Sequence, residues 1–174
     1  MFNAIIIKVK VVFERNIDVN KILNITSFIM LILLLLYILI NYNALPRTVP
    51  IHYDLYNHPD GWGDRNSLFA IPLVGLMIWF LMYSLYKYYP KLIKLDINLR
   101  GEQPTKKAIK THITFVVILN FEITLFIFLM GVMDIYNIKG GSIHLGIFQF
   151  IAFAIVIGVT LIWLVVSDYK NKRK

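Results

Sequence analysis

Cysteine is absent from the 174 residues, which excludes disulfides, thiolate nucleophiles and cysteine-based metal centres. Charge is scarce too: Asp, Glu, Lys and Arg make up 16% of the chain, against about a quarter in an average soluble domain. The scarcity falls hardest on acids, with 10 Asp and Glu facing 18 Lys and Arg for a net charge of +8. No glycine-rich phosphate loop, G-x-S-x-G elbow or H-E-x-x-H pair occurs, so familiar catalytic templates find nothing to stand on. Internal repeats and low-complexity tracts are missing as well. The expectation is a protein that is not an enzyme and needs no cofactor.

What is present is apolar surface. Hydrophobic residues form 58% of the chain and the mean hydropathy is +0.67, a surplus that calls for a lipid solvent. A bilayer core of about 30 Å needs roughly 20 mostly apolar residues per helix. Four runs meet that need, at 25–42, 68–88, 112–135 and 145–166. Tyr37, Tyr83, Tyr86, Tyr88, Tyr89, Tyr136 and Trp163 lie toward their ends, as interfacial aromatics do, whereas Trp79 fits an anchor or a core position equally. The expected architecture is an all-α integral membrane protein with four transmembrane helices.

Orientation follows from Lys and Arg, because short loops rich in them stay cytoplasmic. Fifteen of the eighteen lie before span one, around the second connection or in the tail. Only Arg47, Arg65 and Lys139 lie on the opposite side. Both termini are therefore expected in the cytoplasm. The positive charge is spent on topology and anionic headgroups, and without a basic stripe or aromatic platform it does not suit nucleic acid.

The chain then divides into a cytoplasmic or interfacial segment 1–24, two spans with their outer loop in 25–88 (loop 43–67), a basic cytoplasmic loop 89–111, two further spans in 112–167 and a basic tail 168–174. Span one is long for a signal-peptide core, and 42–44 is a poor cleavage site, so it is expected to stay as an anchor. The apolar stretch 4–13 is too short to cross and suits an interfacial segment, though its alternation at Ile7, Val9 and Val11 also fits a strand. Gly101 and Pro104 break helix continuity in the inner loop.

The loop 43–67 differs from the rest. Pro46 and Pro50 press the residues before them toward extended backbone, and 51–56 alternates with His52 and Asp54 on one face of a short strand. Asn57 tolerates a left-handed turn, Pro59-Asp60-Gly61 fits a tight turn, and Gly63 lets Trp62 fold back toward the membrane surface. The loop reads as a small ordered outer cap.

Leu45, Pro46, Pro50, His52, Tyr53, Asp54, Pro59, Asp60, Trp62, Gly63 and Arg65, followed by an apolar helix near Pro72, resemble the pattern of the membrane module called domain of unknown function 1648. That module stands at the amino end of bacterial SdpI-like immunity proteins. The resemblance covers about 38–83; it departs at Asn57, where glycine is usual, and at Asp64, where a small hydroxyl residue is usual. A second signature of those proteins, later in the chain, is only faintly echoed at 98–105. The resemblance implies an immunity or receptor role in a bacterial plasma membrane, with an external peptide or membrane-active agent as ligand and a cytoplasmic regulator as second partner. The lipid bilayer and a second copy of the chain complete the candidate partners.

Two groups of residues carry candidate chemistry. His52, Asp54, His58 and Asp60 lie within nine residues, and imidazole with carboxylate can ligate a metal, contact an external ligand, or simply hold the cap by hydrogen bonds. A metal-binding membrane enzyme would rest on His52 and His58. Asn120 and Glu122 lie mid-span, where an acid costs about 2.5–3.5 kcal/mol and must face the bundle interior. Asn120 and Thr124 share a face with Glu122 turned away, and Tyr83 and Thr160 match Glu122 in depth. Such residues either fix packing by an interhelical bond or mark the path of a small ion- or proton-coupled transporter. Gly131, Gly146 and Gly158 fit close helix approach.

Overall fold

The computed structural model describes residues 18–56, 58–100, 105–143 and 145–172, with side chains left out at 94–100 and 172. The expectations for 4–13, for Asn57, for Gly101 and Pro104 and for the last two tail residues lie outside these. Four helices are long and apolar enough to cross a membrane. In chain order they are α1 (Val19–Asn41), α2 (Ala70–Arg100), α3 (Lys106–Ile138) and α4 (Ile147–Lys172).

Asp18 starts α1 by accepting from the Asn20 N–H, and Thr105 starts α3 by accepting from Ala108 N–H at 3.1 Å. Each helix outruns its apolar stretch. α2 continues through Pro90 to Arg100, because the end of hydrophobicity marks the end of the lipid and leaves the backbone ladder free to continue. The outer loop folds as a hairpin of β1 (Thr48–Tyr53) and β2 (Pro59–Asp64), flanked by 3-10 turns at Tyr42–Ala44 and Arg65–Phe69. The strands pair antiparallel, with Val49 opposite Gly63, Pro50 opposite Trp62 and Tyr53 opposite Pro59, and irregularities on either side of His52.

The hairpin and the 139–146 connection lie at one end of the bundle, joined by Lys139 Nζ donating to Asn41 Oδ1 at 2.6 Å. The described chain begins and ends at the other. Leu34, Ile38, Leu45, Val49, Leu68 and Ile135 form one buried cluster, so the hairpin shares its apolar base with α1 and α3. Gly131 permits this contact: a Cβ there would come within 3 Å of the Leu34 side chain. Gly158 has nothing within 4 Å of such a Cβ, and Gly146 instead occupies a left-handed turn at φ +51°. α4 packs on α3 and leaves Phe148, Ile155, Val159, Ile162 and Val165 exposed.

Candidate functional site at the hairpin end

The reversal of the hairpin falls at 54–58, correcting the expectation of a strand over 51–56 and a tight turn at Pro59-Asp60-Gly61. The physical reason is Asp54. Its Oδ1 accepts from the N–H of Tyr56 at 2.9 Å and of His58 at 2.7 Å, while its own N–H donates to His58 O at 2.9 Å. A side chain that satisfies two turn amides outcompetes a generic turn tripeptide. These donors, the His58 amide foremost, hold the Asp54 carboxyl below the usual carboxylate range. Pro59 becomes the first residue of β2, where the missing N–H costs nothing.

Gly61 faces the backbone of His52, whose Cβ would lie 2.9 Å from a Cβ at 61, so only glycine fits the cross-strand contact. Trp62, between Gly61 and Gly63, is 60% exposed. Leu55 and Tyr56, at the reversal, are exposed as well.

The histidines and aspartates form two separate couples. His52 Nδ1 pairs with Asp60 Oδ1 across the strands, and His58 Nδ1 lies 3.2 Å from Asp54 Oδ2. Among the described residues no three His, Asp or Glu converge as a metal would require, so the chemistry these couples share is hydrogen bonding.

Arg65 seats the hairpin. Its Nη1 donates to the carbonyls of Tyr42 at 3.2 Å and Leu45 at 3.1 Å, its guanidinium lies 4.2 Å from the Tyr42 ring centroid, and its backbone N–H reaches Arg47 O at 2.9 Å. The cation thus holds the 3-10 turn that follows α1, at a helix C-terminus where positive charge is favoured. Asp64 caps the next turn by accepting from Asn66 N–H at 2.8 Å. Asp and hydroxyl residues serve alike as N-caps, which accounts physically for Asp64 where the resembling pattern has a hydroxyl. Pro46 is exposed between these contacts and Pro50 is half-buried in β1.

Between β1 and helices α3 and α4 lies a cavity of about 650 Å³. Ile51, Leu68, Ile71, Met130, Ile147 and Phe150 give it apolar walls, and His52, Tyr53, Asp54, Gln149 and Asp134 add polar groups. Asp134 is half-buried, and among the described residues it has no ion-pair partner. Burial, reinforced by the Asp134 charge, pushes the Tyr53 hydroxyl up to about 12, so it stays an O–H donor at physiological pH. An apolar cavity with a few placed polar groups is the usual form of a ligand site. Asp134 escapes sequence reading because it lies at the end of an apolar run, where an acid looks like a boundary.

The mid-span residues separate as their helical spacing requires. Asn120 is fully buried and donates to Asn24 Oδ1 of α1 at 3.3 Å, while Trp79 donates to the Asn24 carbonyl at 3.0 Å. Thr160 of α4 donates to Glu122 Oε1 at 2.5 Å; Tyr83 instead stacks on Trp79. Among the described residues, Glu122 Oε2 and Asn120 Oδ1 are buried without a partner. At the far end, His112 joins three helices, with Nδ1 2.5 Å from the Tyr89 hydroxyl and Nε2 2.8 Å from Asp168 Oδ2. Nothing in the sequence signals this trio, whose members lie far apart along the chain.

The chain is similar to an uncharacterized protein of Archaeoglobus fulgidus, 36% identical over 85 residues that cover 45% of this chain and 46% of that one. It thus spans about half the length of that relative. No solved structure matches it significantly. Residues 29–76, from within α1 through the hairpin into α2, match the family model Domain of unknown function (DUF1648).

Proposed function

We propose that the chain is a multi-pass protein of a bacterial plasma membrane that recognises an external, basic amphipathic peptide or membrane-active agent. The role is of immunity or receptor type and involves no catalysis. The observation that supports it is the cavity beneath the hairpin, where a half-buried Asp134, without an ion-pair partner among the described residues, and the Tyr53 hydroxyl face apolar walls. Membrane-active peptides carry a Lys- and Arg-rich face opposite an apolar one. Such a ligand sets an ammonium or guanidinium against Asp134 and its apolar side on Met130, Ile147 and Phe150. The Lys and Arg bias puts the hairpin outside and both termini inside. The basic loop 89–111 then faces a cytoplasmic regulator able to respond to occupancy.

The test is titration of the protein in nanodiscs with a Lys/Leu amphipathic peptide and with an uncharged analogue. Asp134→Asn is expected to weaken binding of the basic peptide at least tenfold, about 1.4 kcal/mol, and to leave the analogue unchanged. Equal binding by wild type and D134N overturns the reading. In cells, deletion of the gene should raise sensitivity to secreted sibling peptides.

One observation favours a second reading. The partnerless Glu122 Oε2, buried between α3 and α4, suits a small ion- or proton-coupled transporter component. Glu122→Gln would then abolish flux into vesicles, and unchanged flux removes this reading.

A further inference from the structure

A second recess, of about 980 Å³, opens at the end of the bundle opposite the hairpin, between the start of α1, the Pro90 region of α2 and the start of α3. Its chemistry is graded. Lys87, Lys106 and Lys110 line it together, all three exposed, and among the described residues none has a carboxylate within ion-pair distance. Asp18, also on the wall, is engaged in capping α1. Lys87 additionally lies 5.8 Å from the Tyr88 ring centroid, a contact loose enough to leave its ammonium available.

Deeper in, Leu23, Ile113 and Ile118 line it, and the polar groups among them, Asn20 and Thr114, are bonded to each other at 3.4 Å. At about 1.5 Å per residue, the α3 wall descends roughly 18 Å from Lys106 to Ile118. Three cations without a carboxylate partner among the described residues, at the lip of a helical bundle above a largely apolar wall of that depth, match one ligand chemistry: a phosphate head joined to a hydrocarbon chain. A free phosphate would have no use for the channel, and a zwitterionic lipid would waste the cations. Basic pockets between membrane helices take anionic head groups for this reason. Long lysine stems suit the position, since they cover apolar surface while lifting their charge to the interface.

We infer that this groove binds one anionic phospholipid, its phosphate held by Lys87, Lys106 and Lys110 and an acyl chain lying against Leu23, Ile113 and Ile118. The site is separate from the cavity beneath the hairpin and does not depend on what that cavity binds.

Native mass spectrometry of the full chain, released from detergent carrying equal amounts of dioleoyl-phosphatidylglycerol and dioleoyl-phosphatidylcholine, tests it. One phosphatidylglycerol is expected to be retained at least tenfold over phosphatidylcholine. The triple variant K87Q/K106Q/K110Q should lower that retention at least fivefold, and Ile113→Trp, which keeps every charge but fills the channel, should lower it as well. The variant K91Q/K107Q/K170Q removes the same charge outside the groove and should retain the lipid. Equal retention of both lipids, or an equal loss in this last variant, overturns the inference. So does displacement of the lipid by millimolar inorganic phosphate with Ile113→Trp binding normally, since the groove would then be a plain anion site.

Discussion

At the hairpin end, an irregular segment is held by directional bonds: Asp54 to two amides and His52 to Asp60 close the hairpin on itself, Arg65 ties its base to two carbonyls just after α1, and Lys139 joins α3 to Asn41 beside it. At the opposite end, His112 with Tyr89 and Asp168 ties α2, α3 and α4, and beside this tie stands a groove lined by Lys87, Lys106 and Lys110. The contrast separates two ways of meeting a ligand. The first end preorganises a cavity around one acid, whereas the second offers several cations on long stems that tolerate imprecise geometry. On the two proposals, specific recognition would belong to the first and class-level attraction to the second.

The comparison can be broken most sharply at Arg65. Arg65→Ala removes two charge-assisted bonds to the carbonyls of Tyr42 and Leu45 and a cation–π contact, and is expected to destabilise the hairpin end by about 2–4 kcal/mol. Thermal unfolding in detergent measures this, and an unchanged midpoint would show that the clasp is incidental. Next comes Gly61→Ala, which forces a methyl against the His52 Cβ and should cost about 1–3 kcal/mol by overpacking two backbones that cannot separate. Hydrogen exchange in β1 and β2 should quicken while α4 stays protected; uniform quickening would contradict a local effect.

A smaller effect is expected between the two ends. Asn120→Leu removes the bond to Asn24 but also an oxygen that has no partner, so the net loss should be near 0.6 kcal/mol. A loss of several kcal/mol would mean that Asn120 does more than fix packing.

The gentlest probe is acid. Asp54 titrates below its ordinary value in the folded hairpin, so its contribution is complete above about pH 4 and fades as pH falls through the lowered value. The His58 amide resonance should report a midpoint below 3.8, the ordinary value, and Asp54→Asn should abolish that step. A midpoint at or above 3.8 would show that the turn amides are not bonded to the carboxylate.

The four helices were readable in the sequence because lipid imposes a length and a composition that no local detail can disguise. Their ends were not, since α2 and α3 carry on past the apolar stretch into lysine-rich turns. In the outer loop the punctuating residues were identifiable as a set, yet the position of the reversal was not. It depended on whether Asp54 or Pro59-Asp60-Gly61 would claim the turn, a competition decided by side-chain bonds to particular amides. Thr160 could be matched to Glu122 by depth alone, because a membrane gives each residue a coordinate along one axis. Asp134 and the His112 trio needed the remaining two coordinates, which only the packed helices supply.

One consequence of the Arg65 clasp concerns mechanics. α1 is 23 residues long, about 35 Å as a rod, with the 3-10 turn that follows it gripped by Arg65 and its first turn forming a wall of the lysine groove. A helix resists compression along its axis far better than bending. A displacement of the hairpin that pushes along α1 therefore arrives at the far face of the bundle as a shift of Asn20 and Leu23, with no intermediate side chain needed to carry it.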